Sequence, residues 1–428
     1  MIHASKISVV VASVLAGFLA AACQTSNTTG RGTDMAAASG GLKIGTLLPT
    51  TGDLSSIGQN MPVAAKLAVE TVNECGGVNE QSVTLINEDS QTDPNSGAAA
   101  MSKLAEADRV AAVVGAFASS VSSAAVDVAV RNQVMFVSPG STSPVFTERA
   151  KKGEFNGYWA RTAPPDTYQA QALAKLAKQR GFERVSTIAI NNDYGVGFEQ
   201  VFVQSFKELG GEVVNDNNPV RYDPKATTLD SEAAAAFEGN PGAVVSILYA
   251  ETGSLLLKSA YQQGLMENST VMLTDAVKSE KFTKQVGQTR GDRSLIAGAL
   301  GTVPGADGEA LSNFTSLWKE ETGKEVTAFV PHTWDATVLT MLAAEAADQN
   351  TGSGIKSQIR AVSNSPGQQV SDVCQALELV RNGKEINYQG ASGNVNFDEN
   401  GDVVGSYDVW TVKKDGSINV IDQVGTED

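Results

Sequence analysis

The sequence predicts an α/β protein with two lobes, each built on an open parallel sheet covered by helices. From Leu42 onward, short apolar strands alternate with helices of small and aliphatic residues. The strands are continuous apolar runs, which is typical of parallel strands covered on both faces. The alternation starts again after Ala163-Pro164-Pro165. The roughly 390 residues after residue 41 are enough for two domains of ordinary size.

The first part of this region contains the elements of one lobe in order. A strand over 43–48 leads into a Gly- and Ser-containing loop over 49–58, and the helix predicted over 61–72 stops at Gly76-Gly77. Further strands are predicted over 83–86, 110–114 and 134–137, alternating with Ala-rich helices around 98–105 and 122–130.

The second series of elements begins with a helix over 168–180 and a strand over 186–190. The next helix is predicted to place four apolar residues on one face, Phe198, Phe202, Phe206 and Leu209. A strand over 244–248, a helix over 255–263 and a strand over 271–273 follow. These elements predict a second parallel sheet.

The amino-terminal segment predicts export. Residues 1–22 combine a basic start with an apolar run of about 16 residues, which suits a secretory signal and is too short for a good membrane span. Ala20-Ala21-Ala22 before Cys23 resembles a lipoprotein signal, although such signals usually have Leu where Ala20 stands. Cleavage by the ordinary signal peptidase, giving a soluble protein, is the alternative. Residues 24–41 are mostly small and polar, as in a flexible tether.

Charge and cysteine content narrow the function classes. An apolar content of 42% and a charged content of 19% are those of a globular protein. The net charge of −16 argues against nucleic acid or an anionic membrane surface as a partner. With Cys23 lipidated, only Cys75 and Cys374 remain in a compartment where disulfides persist. We predict that these two pair; two buried free thiols are the alternative.

The sequence lacks the residues of common catalytic and metal sites. It has two histidines, and export removes His3, so His332 stands alone. It has no phosphate loop, no G-x-S-x-G elbow and no complete G-x-G-x-x-G. Residues 398–402 resemble a calcium loop without the Glu at its twelfth position, so we predict a solvated turn. We therefore expect neither an enzyme, a cofactor nor a metal site.

Two strand-to-helix turns carry groups suited to an anionic ligand. Gly115 ends one strand and is followed by residues 116–120 with two serines, and residues 138–144 follow another strand. Hydroxyls and free N–H groups at a helix start favour a carboxylate, and in open parallel sheets such turns line the ligand crevice. Simple helix capping is the alternative for each turn. Two adjacent turns of this kind favour a ligand site.

The segment from Ile44 to Gly52, IGTLLPTTG, with Gly58-Gln59, resembles the start of periplasmic branched-chain-amino-acid-binding proteins. These are substrate-binding subunits of ABC importers with the type I Venus-flytrap fold. The resemblance covers nearly all of residues 42–414 and rests on the order of several short motifs. These motifs are Gly76-Gly77-Val78-Asn79, Ser138-Pro139-Gly140-Ser141-Thr142, Asn192-Asp193-Tyr194-Gly195, Tyr249 and the stretch from Gly393 to Gly401.

The resemblance implies a set of ligand-binding residues. In the first lobe, a serine, a carbonyl and a threonine that hold the amino acid's backbone match Ser119, Gly140 and Thr142, and we include the neighbouring Ser141. From the second lobe, two tyrosines and an acid match Tyr194, Tyr249 and Asp275; the acid of the family is more often Glu. Candidates for the side-chain pocket are Ile57, Phe117, Phe329 and Trp334, the last two being equally compatible with the core.

The resemblance further implies that residues 42–162 with 300–395 form lobe 1 and residues 163–299 with 396–428 form lobe 2. We expect a monomer that is tethered to a membrane by lipid and delivers a branched-chain or other neutral amino acid to an ABC permease with its cytoplasmic ATPase. Alternatives are a urea- or amide-binding protein, a sensor feeding a receptor kinase, and a ligand-free envelope regulator. A hydrolase using Ser119 would need His332 as its base.

Replacing Cys23 should test the tether. If Cys23 is the lipidated amino terminus, Cys23→Ser should move the protein from the membrane fraction to the soluble fraction, because the lipid is its only anchor. Fractionation and mass spectrometry of the amino-terminal peptide measure this. A soluble unmodified protein without lipid mass on Cys23 would contradict the prediction.

Overall fold

The structure is a computed structural model that describes residues 40–425. The predicted signal, Cys23 and the tether up to residue 39 lie outside the described residues. The described strands are, in chain order, β1 (Lys43–Leu48), β2 (Thr84–Asp89), β3 (Ala112–Gly115), β4 (Met135–Ser138), β5 (Trp159–Arg161), β6 (Arg184–Ile190), β7 (Glu212–Val213), β8 (Val220–Tyr222), β9 (Ala243–Ile247), β10 (Thr270–Leu273), β11 (Leu300–Pro304), β12 (Gln368–Val370), β13 (Ile386–Tyr388), β14 (Tyr407–Val412) and β15 (Ile418–Val424).

The described helices alternate with these strands over most of the chain. They are α1 (Ser55–Gly58), α2 (Met61–Glu74), α3 (Pro94–Ser102), α4 (Ser119–Arg131), α5 (Val145–Lys151), α6 (Asp166–Gln179), α7 (Asp193–Glu208), α8 (Asp230–Phe237), α9 (Ala250–Gln262), α10 (Glu280–Val286), α11 (Gly308–Thr322), α12 (Val330–Ala347), α13 (Gly352–Ser363) and α14 (Val373–Arg381). A π-helix over Lys103–Asp108 continues α3, and a 3₁₀ turn covers Asp275–Val277. No helix in this part of the chain has both the length and the apolar character needed to cross a bilayer.

Two separate sheets form the two lobes. The first sheet has the order β2-β1-β3-β4-β5, and all of its strands are parallel. The second has the order β15-β14-β11-β10-β9-β6-β7, with β8 also paired to β6, β14 antiparallel to β11, and β15 antiparallel to β14. In each parallel part the strand order reverses once, at β1/β3 and at β6/β9. Such a reversal opens a crevice at the carboxyl ends of the strands.

The lobe boundaries differ from the expected ones at two places. Residues 300–304, expected in lobe 1, form β11 and pair with β10 of the second sheet. Residues 396–403, expected in lobe 2, still pack on the first lobe, where Phe397 and Val403 are buried in its core. The chain returns to the second sheet only at β14. Strand pairing and burial decide both boundaries, and neither is visible in local sequence.

Helices cover both faces of the first sheet. On one face, α3 and α4 pack against it; on the other lie α2 and the late helices α12, α13 and α14. Helix α12 presents no face to solvent over most of its length, because its residues from Val330 to Ala344 are all buried. In the second lobe, Phe198, Phe202 and Phe206 of α7 are buried as predicted. Leu209 is 44% exposed, because α7 ends at Glu208 and the chain turns there.

The lobes are in contact around the cleft. Ser143 Oγ of the first lobe donates to the carbonyl of Asp193 in the second, at 2.8 Å. A side chain on Gly197 of α7 would come within 2.9 Å of Pro144. Glycine therefore allows the first turn of α7 to approach the first lobe closely. The described arrangement is the closed one.

Cys75 and Cys374 form a disulfide, with their Cα atoms 5.5 Å apart. Cys75 follows the last residue of α2, and Cys374 lies in the first turn of α14. The bond therefore joins two helices of the same lobe across 299 residues of sequence. Arg381 reinforces the contact by donating to the carbonyl of Cys75 at 2.7 Å.

Removing this disulfide with the double variant Cys75→Ser/Cys374→Ser should lower the free energy of unfolding by about 2–5 kcal/mol, because the unfolded chain loses its longest cross-link. Denaturant unfolding measures the loss. Peptide mapping after alkylation of the unfolded, unreduced protein is the control. Alkylation of both cysteines without reductant would show that the native protein has no such bond.

Candidate functional site

The predicted site residues lie where the two sheet reversals face each other. In the first lobe, the segments after β1 and β3 contribute Leu54, Phe117 and Ser119; in the second, those after β6 and β9 contribute Tyr194 and Tyr249. Residues far apart in sequence thus meet, because the parallel strands of each sheet point their carboxyl ends at one edge and these two edges face each other.

These residues enclose a small cavity. It holds about 10 Å³, close to the space of one water molecule. A ligand must therefore enter while the lobes are apart. Larger recesses, such as one of about 680 Å³ beside Tyr261 and Arg293, contain none of the predicted residues. The cavity is lined by Leu54, Phe117, Ala118, Ser119, Gly140, Tyr194, Tyr249, Asp275 and Ala276.

The start of α4 forms the first-lobe wall of the cavity. Ser119 is the first residue of α4, and its N-cap residue, Ala118, offers no side-chain cap. The hydroxyl of Ser119 accepts a hydrogen bond from the Ser143 N–H at 3.3 Å. Gly140 faces the ring of Phe117 so closely that a Cβ would lie 2.2 Å from it. Glycine therefore lets this segment pack against Phe117 at the cavity wall.

The second predicted turn is organised differently from the first. We expected a helix start around Ser141 and Thr142, but α5 begins only at Val145, so these residues lie in an irregular segment. Ser141 is directed away from the cavity, donating to the carbonyl of Ala116 at 2.9 Å and pairing with the Ser122 hydroxyl at 2.7 Å. The hydroxyl of Thr142 is buried and has no hydrogen-bond partner. Ser141 thus supports the loop, and Thr142 lies beside Asp166, outside the cavity lining.

Two stacked tyrosines and a carboxylate form the second-lobe wall. Tyr194 donates its hydroxyl proton toward Asp275 Oδ1, at 2.7 Å, and the Thr274 hydroxyl lies at the same distance. The rings of Tyr194 and Tyr249 stack with centroids 5.7 Å apart. The hydroxyl of Tyr249 is buried without a partner. This wall therefore presents one carboxylate and one unsatisfied hydroxyl.

Asp166 is a second buried carboxylate that the sequence analysis missed. It begins α6, and its N–H donates to the carbonyl of Thr142 at 2.8 Å, while neither carboxylate oxygen has a hydrogen-bond partner. Burial, and then the neighbouring Asp275, raise the pKa of Asp166 well above its usual range. Burial likewise raises the pKa of Asp275 to about 6, against the hydrogen bond from Tyr194. The position after Ala163-Pro164-Pro165 was the available signal, since it starts a helix at the crossing.

Two neighbouring buried carboxylates, one of which raises the pKa of the other, are a poor arrangement for stability and a good one for a cation. Burying an unpaired charged group costs several kcal/mol. An ammonium group placed between the two carboxylates would relieve that cost. Among the described residues, no group of three acidic, histidine or cysteine side chains could hold a metal ion.

Three predicted pocket residues occupy other surroundings. Ile57 is buried in the core beneath the cavity and does not line it. Trp334 belongs to the core of the first lobe, where its indole N–H donates to the Tyr388 hydroxyl at 3.3 Å. Phe329 lies one layer behind the cavity, with its ring packed edge-on against Phe117 at 4.8 Å. Leu54 takes the place that we assigned to Ile57.

His332 has no partner in either lobe that would make it a base. Its two ring nitrogens are buried without hydrogen bonds, and burial, followed by the charge of Lys278, lowers its pKa to about 3. It does not line the cavity that contains Ser119. The geometry gives no support to the hydrolase alternative.

The buried guanidinium of Arg161 holds the irregular segment in place. Its Nη1 donates to the carbonyls of Ser141 and Ser143, both at 2.9 Å, and its Nε donates to Asp402 Oδ1 at 2.6 Å. Asp402 is therefore buried, and the predicted solvated turn is wrong at this residue. Asp398 does form the expected turn, by accepting from the N–H groups of Asn400 and Asp402.

The family model for "receptor family ligand binding region" matches residues 60–415. This chain belongs to that family. The match includes both lobes and every cavity-lining residue except Leu54. The family is described by ligand binding.

Relatives of this ligand-binding family agree on the class. The chain is 26% identical over 361 residues to "Chemotactic signal transduction system substrate-binding protein BasB" of Halobacterium salinarum, covering 83% of each chain. It is 28% identical over 264 residues to "Amino acid binding protein" of Pseudomonas aeruginosa, covering 62% of this chain and 67% of that protein. The crystal structure of the leucine-binding protein LivK of Thermotoga maritima superposes with a TM-score of 0.75 at 26% identity, covering 90% and 99% of the two chains. The predicted type I periplasmic-binding-protein fold is confirmed.

Asp402→Ala should lower the free energy of unfolding by about 3–5 kcal/mol, because it leaves the Arg161 charge buried and uncompensated. Chemical denaturation measures the change. Asp422→Ala on the exposed strand β15 is the matched control and should stay within about 0.5 kcal/mol of the unchanged protein. Equal effects of the two substitutions would mean that the buried ion pair is not what stabilises this region.

Proposed function

We propose that this protein captures an L-α-amino acid between its lobes as the extracytoplasmic binding subunit of an ABC importer. The observation that carries the proposal is the polar composition of the closed cavity. Ser119 and a helix start line it on one side, and Tyr194, Tyr249 and the carboxylate of Asp275 line it on the other. The Asp166 carboxylate neighbours Asp275 outside this lining. This polarity matches the two charged ends of a zwitterion.

The first lobe would bind the ligand's carboxylate. Helix α4 is 13 residues long and has no side-chain cap, so the N–H groups of Ser119 and Ser120 would donate to the ligand at the favourable end of the helix dipole. The hydroxyl of Ser119 lies at this helix start, and we assign the Thr142 hydroxyl a supporting role.

Asp275 and Asp166 would hold the ligand's ammonium group. Tyr194 already orients Asp275 through the bond at 2.7 Å. A charge-assisted bond inside a closed cleft is stronger than one in water and is lost when the lobes separate. The ligand therefore favours the closed form by contacts that the open form lacks.

The remaining wall favours a small or neutral side chain. Leu54, Phe117 and Ala276 are apolar and line the cavity. This supports a branched-chain or other neutral amino acid over a charged one. The names of the Thermotoga and Pseudomonas relatives support the amino-acid class.

A calorimetric screen of amino acids, urea and short amides tests this ligand class. Preferential binding of urea or an amide would contradict the amino-acid proposal.

A sensor that reports ligand occupancy to a receptor is the second candidate, because the Halobacterium relative belongs to a chemotactic signalling system. Uptake of a radiolabelled amino acid in a strain lacking the protein separates the two roles. An importer subunit predicts lost uptake, while a sensor predicts normal uptake with a lost response.

We also propose the lipid tether at Cys23, in keeping with an extracytoplasmic role.

Asp275→Ala should weaken binding of the tightest amino acid by about 2–5 kcal/mol, because the ligand's ammonium is then buried with one partner fewer. Asp275→Asn should weaken the binding of a neutral amide ligand less than it weakens the binding of a zwitterion. Titration calorimetry measures both. The control is Asp422→Ala, which changes an exposed carboxylate in the second lobe. Unchanged affinity in both Asp275 variants would remove the amino-acid proposal.

Affinity should fall as the pH drops through about 6, because Asp275 must be ionised to bind an ammonium. Ligand binding lowers the pKa of Asp275, so the contribution of Asp275 to affinity is constant above that value and decreases below it. Stability of the free protein should move the opposite way: the contribution of this raised pKa is present at low pH and is lost as the pH rises through about 6. In Asp275→Asn the pH dependence of affinity should flatten, and an unaltered profile would assign it to another group.

A further inference from the structure

Asp53 bridges the two lobes at the mouth of the cleft. It lies in the turn between β1 and α1 of the first lobe, and it borders an open recess of about 530 Å³ that both lobes line. Its carboxylate reaches the start of α9 in the second lobe, at Glu251 and Thr252. The contact lies outside the set of residues assigned above to the ligand.

Helix α9 cannot cap its own amino terminus. Its N-cap residue is Tyr249, which makes no side-chain capping bond and has its ring in the ligand cavity. The first turn of any α-helix leaves N–H groups without partners in the helix, and the helix dipole makes this end attractive to a carboxylate. A capping acceptor for α9 must therefore come from another part of the molecule.

Asp53 provides that acceptor from the opposite lobe. Its Oδ1 accepts hydrogen bonds from the N–H groups of Glu251 and Thr252, the latter at 3.3 Å. Its Oδ2 accepts from the hydroxyl of Thr252 at 2.8 Å. This is the bonding pattern of a helix N-cap aspartate, except that the carboxylate and the helix belong to different lobes.

The surrounding contacts hold the bridge in this geometry. The N–H of the next residue, Leu54, donates to the Thr92 hydroxyl at 3.1 Å, which anchors the turn to the first lobe. The carboxylate of Glu251 is engaged by Gln285 at 2.8 Å. A second bridge at this mouth, between Lys225 and Asp93, is 3.4 Å long with the lysine 78% exposed, so it contributes little.

We infer that Asp53 is a positioning residue that caps α9 across the cleft and thereby holds the protein closed on its ligand; the inference rests on the proposed function. The cap exists only when the lobes meet, because its donors and its acceptor lie on different lobes. Its neighbours Leu54 and Tyr249 line the ligand cavity from the two sides. Closing around a ligand and capping α9 are therefore a single movement, and the cap slows ligand release.

Stopped-flow measurements on the full-length protein test this role, with L-leucine or the tightest amino acid of the calorimetric panel as the probe. Asp53→Ala should raise the dissociation rate constant by about 2- to 30-fold, the range expected for loss of a helix cap, with little change in the association rate constant. Asp53→Asn keeps one acceptor oxygen, so its dissociation rate constant should lie between those of the unchanged protein and Asp53→Ala. Thr252→Val removes one donor and should have no further effect in the Asp53→Ala background.

The matched control is Asp372→Ala. Asp372 caps α14 within its own lobe, where its carboxylate accepts from the Gln375 N–H at 2.7 Å. Its loss should lower the melting temperature and leave the dissociation rate constant unchanged. If Asp53→Ala lowers the melting temperature as Asp372→Ala does, with a dissociation rate within twofold of the unchanged protein, Asp53 is only a structural cap and the inference is overturned.

Small-angle X-ray scattering of the ligand-free proteins separates this inference from the proposed function. Asp53→Ala should shift the radius of gyration toward a more open form than the unchanged protein, and Asp372→Ala should not. If no amino acid binds the unchanged protein, the proposed function fails while the shift still supports the cross-lobe cap. Identical scattering of the Asp53→Ala and unchanged proteins overturns the cap itself.

Discussion

The buried guanidinium of Arg161 is the interaction on which the arrangement of the cleft depends. It lies at the end of β5, just before the chain first crosses to the second lobe, and it is fully buried. One cation there satisfies two carbonyls of the irregular segment beside the cavity and the carboxylate of Asp402. Because a buried charge must be paired, these three segments are held to a single arrangement. The ion pair thereby specifies the geometry of the site more than it adds net stability.

The cavity and its border contain polar groups that could pair with a ligand. Tyr249 lines the cavity, and its hydroxyl has no hydrogen-bond partner in the protein, although most buried polar atoms in proteins are paired. Thr142 and Asp166 lie outside the lining, joined by the bond from the Asp166 N–H to the Thr142 carbonyl. A ligand that pairs with such groups favours the closed form over the open one. The proposed recognition and the proposed closure thus have the same physical origin.

Direct contacts between the two lobes also favour the closed form. Ser143 reaches the start of α7, and Asp53 reaches the start of α9. Both second-lobe helices begin directly beside the cavity, after the strands β6 and β9. Asp53 supplies the acceptor that the start of α9 needs, and Ser143 donates to the Asp193 carbonyl, so the first lobe can recognise the second largely through backbone groups whatever the ligand is. The side chains of the cavity remain free to determine which ligand is bound.

The sequence by itself determined the α/β class, the two series of parallel strands and most element positions, because apolar runs and helix-stopping residues are local signals. The resemblance to binding proteins extended this to Ser119, Gly140, Tyr194, Tyr249 and Asp275, which the structure brings together. Only the tertiary structure decided that β11 belongs to the second sheet and that Asp402 is buried under Arg161. It also placed Asp166, and not Ile57 or Trp334, at the cleft. These features depend on strand pairing and on burial between segments distant in sequence, and no local pattern of residues encodes them.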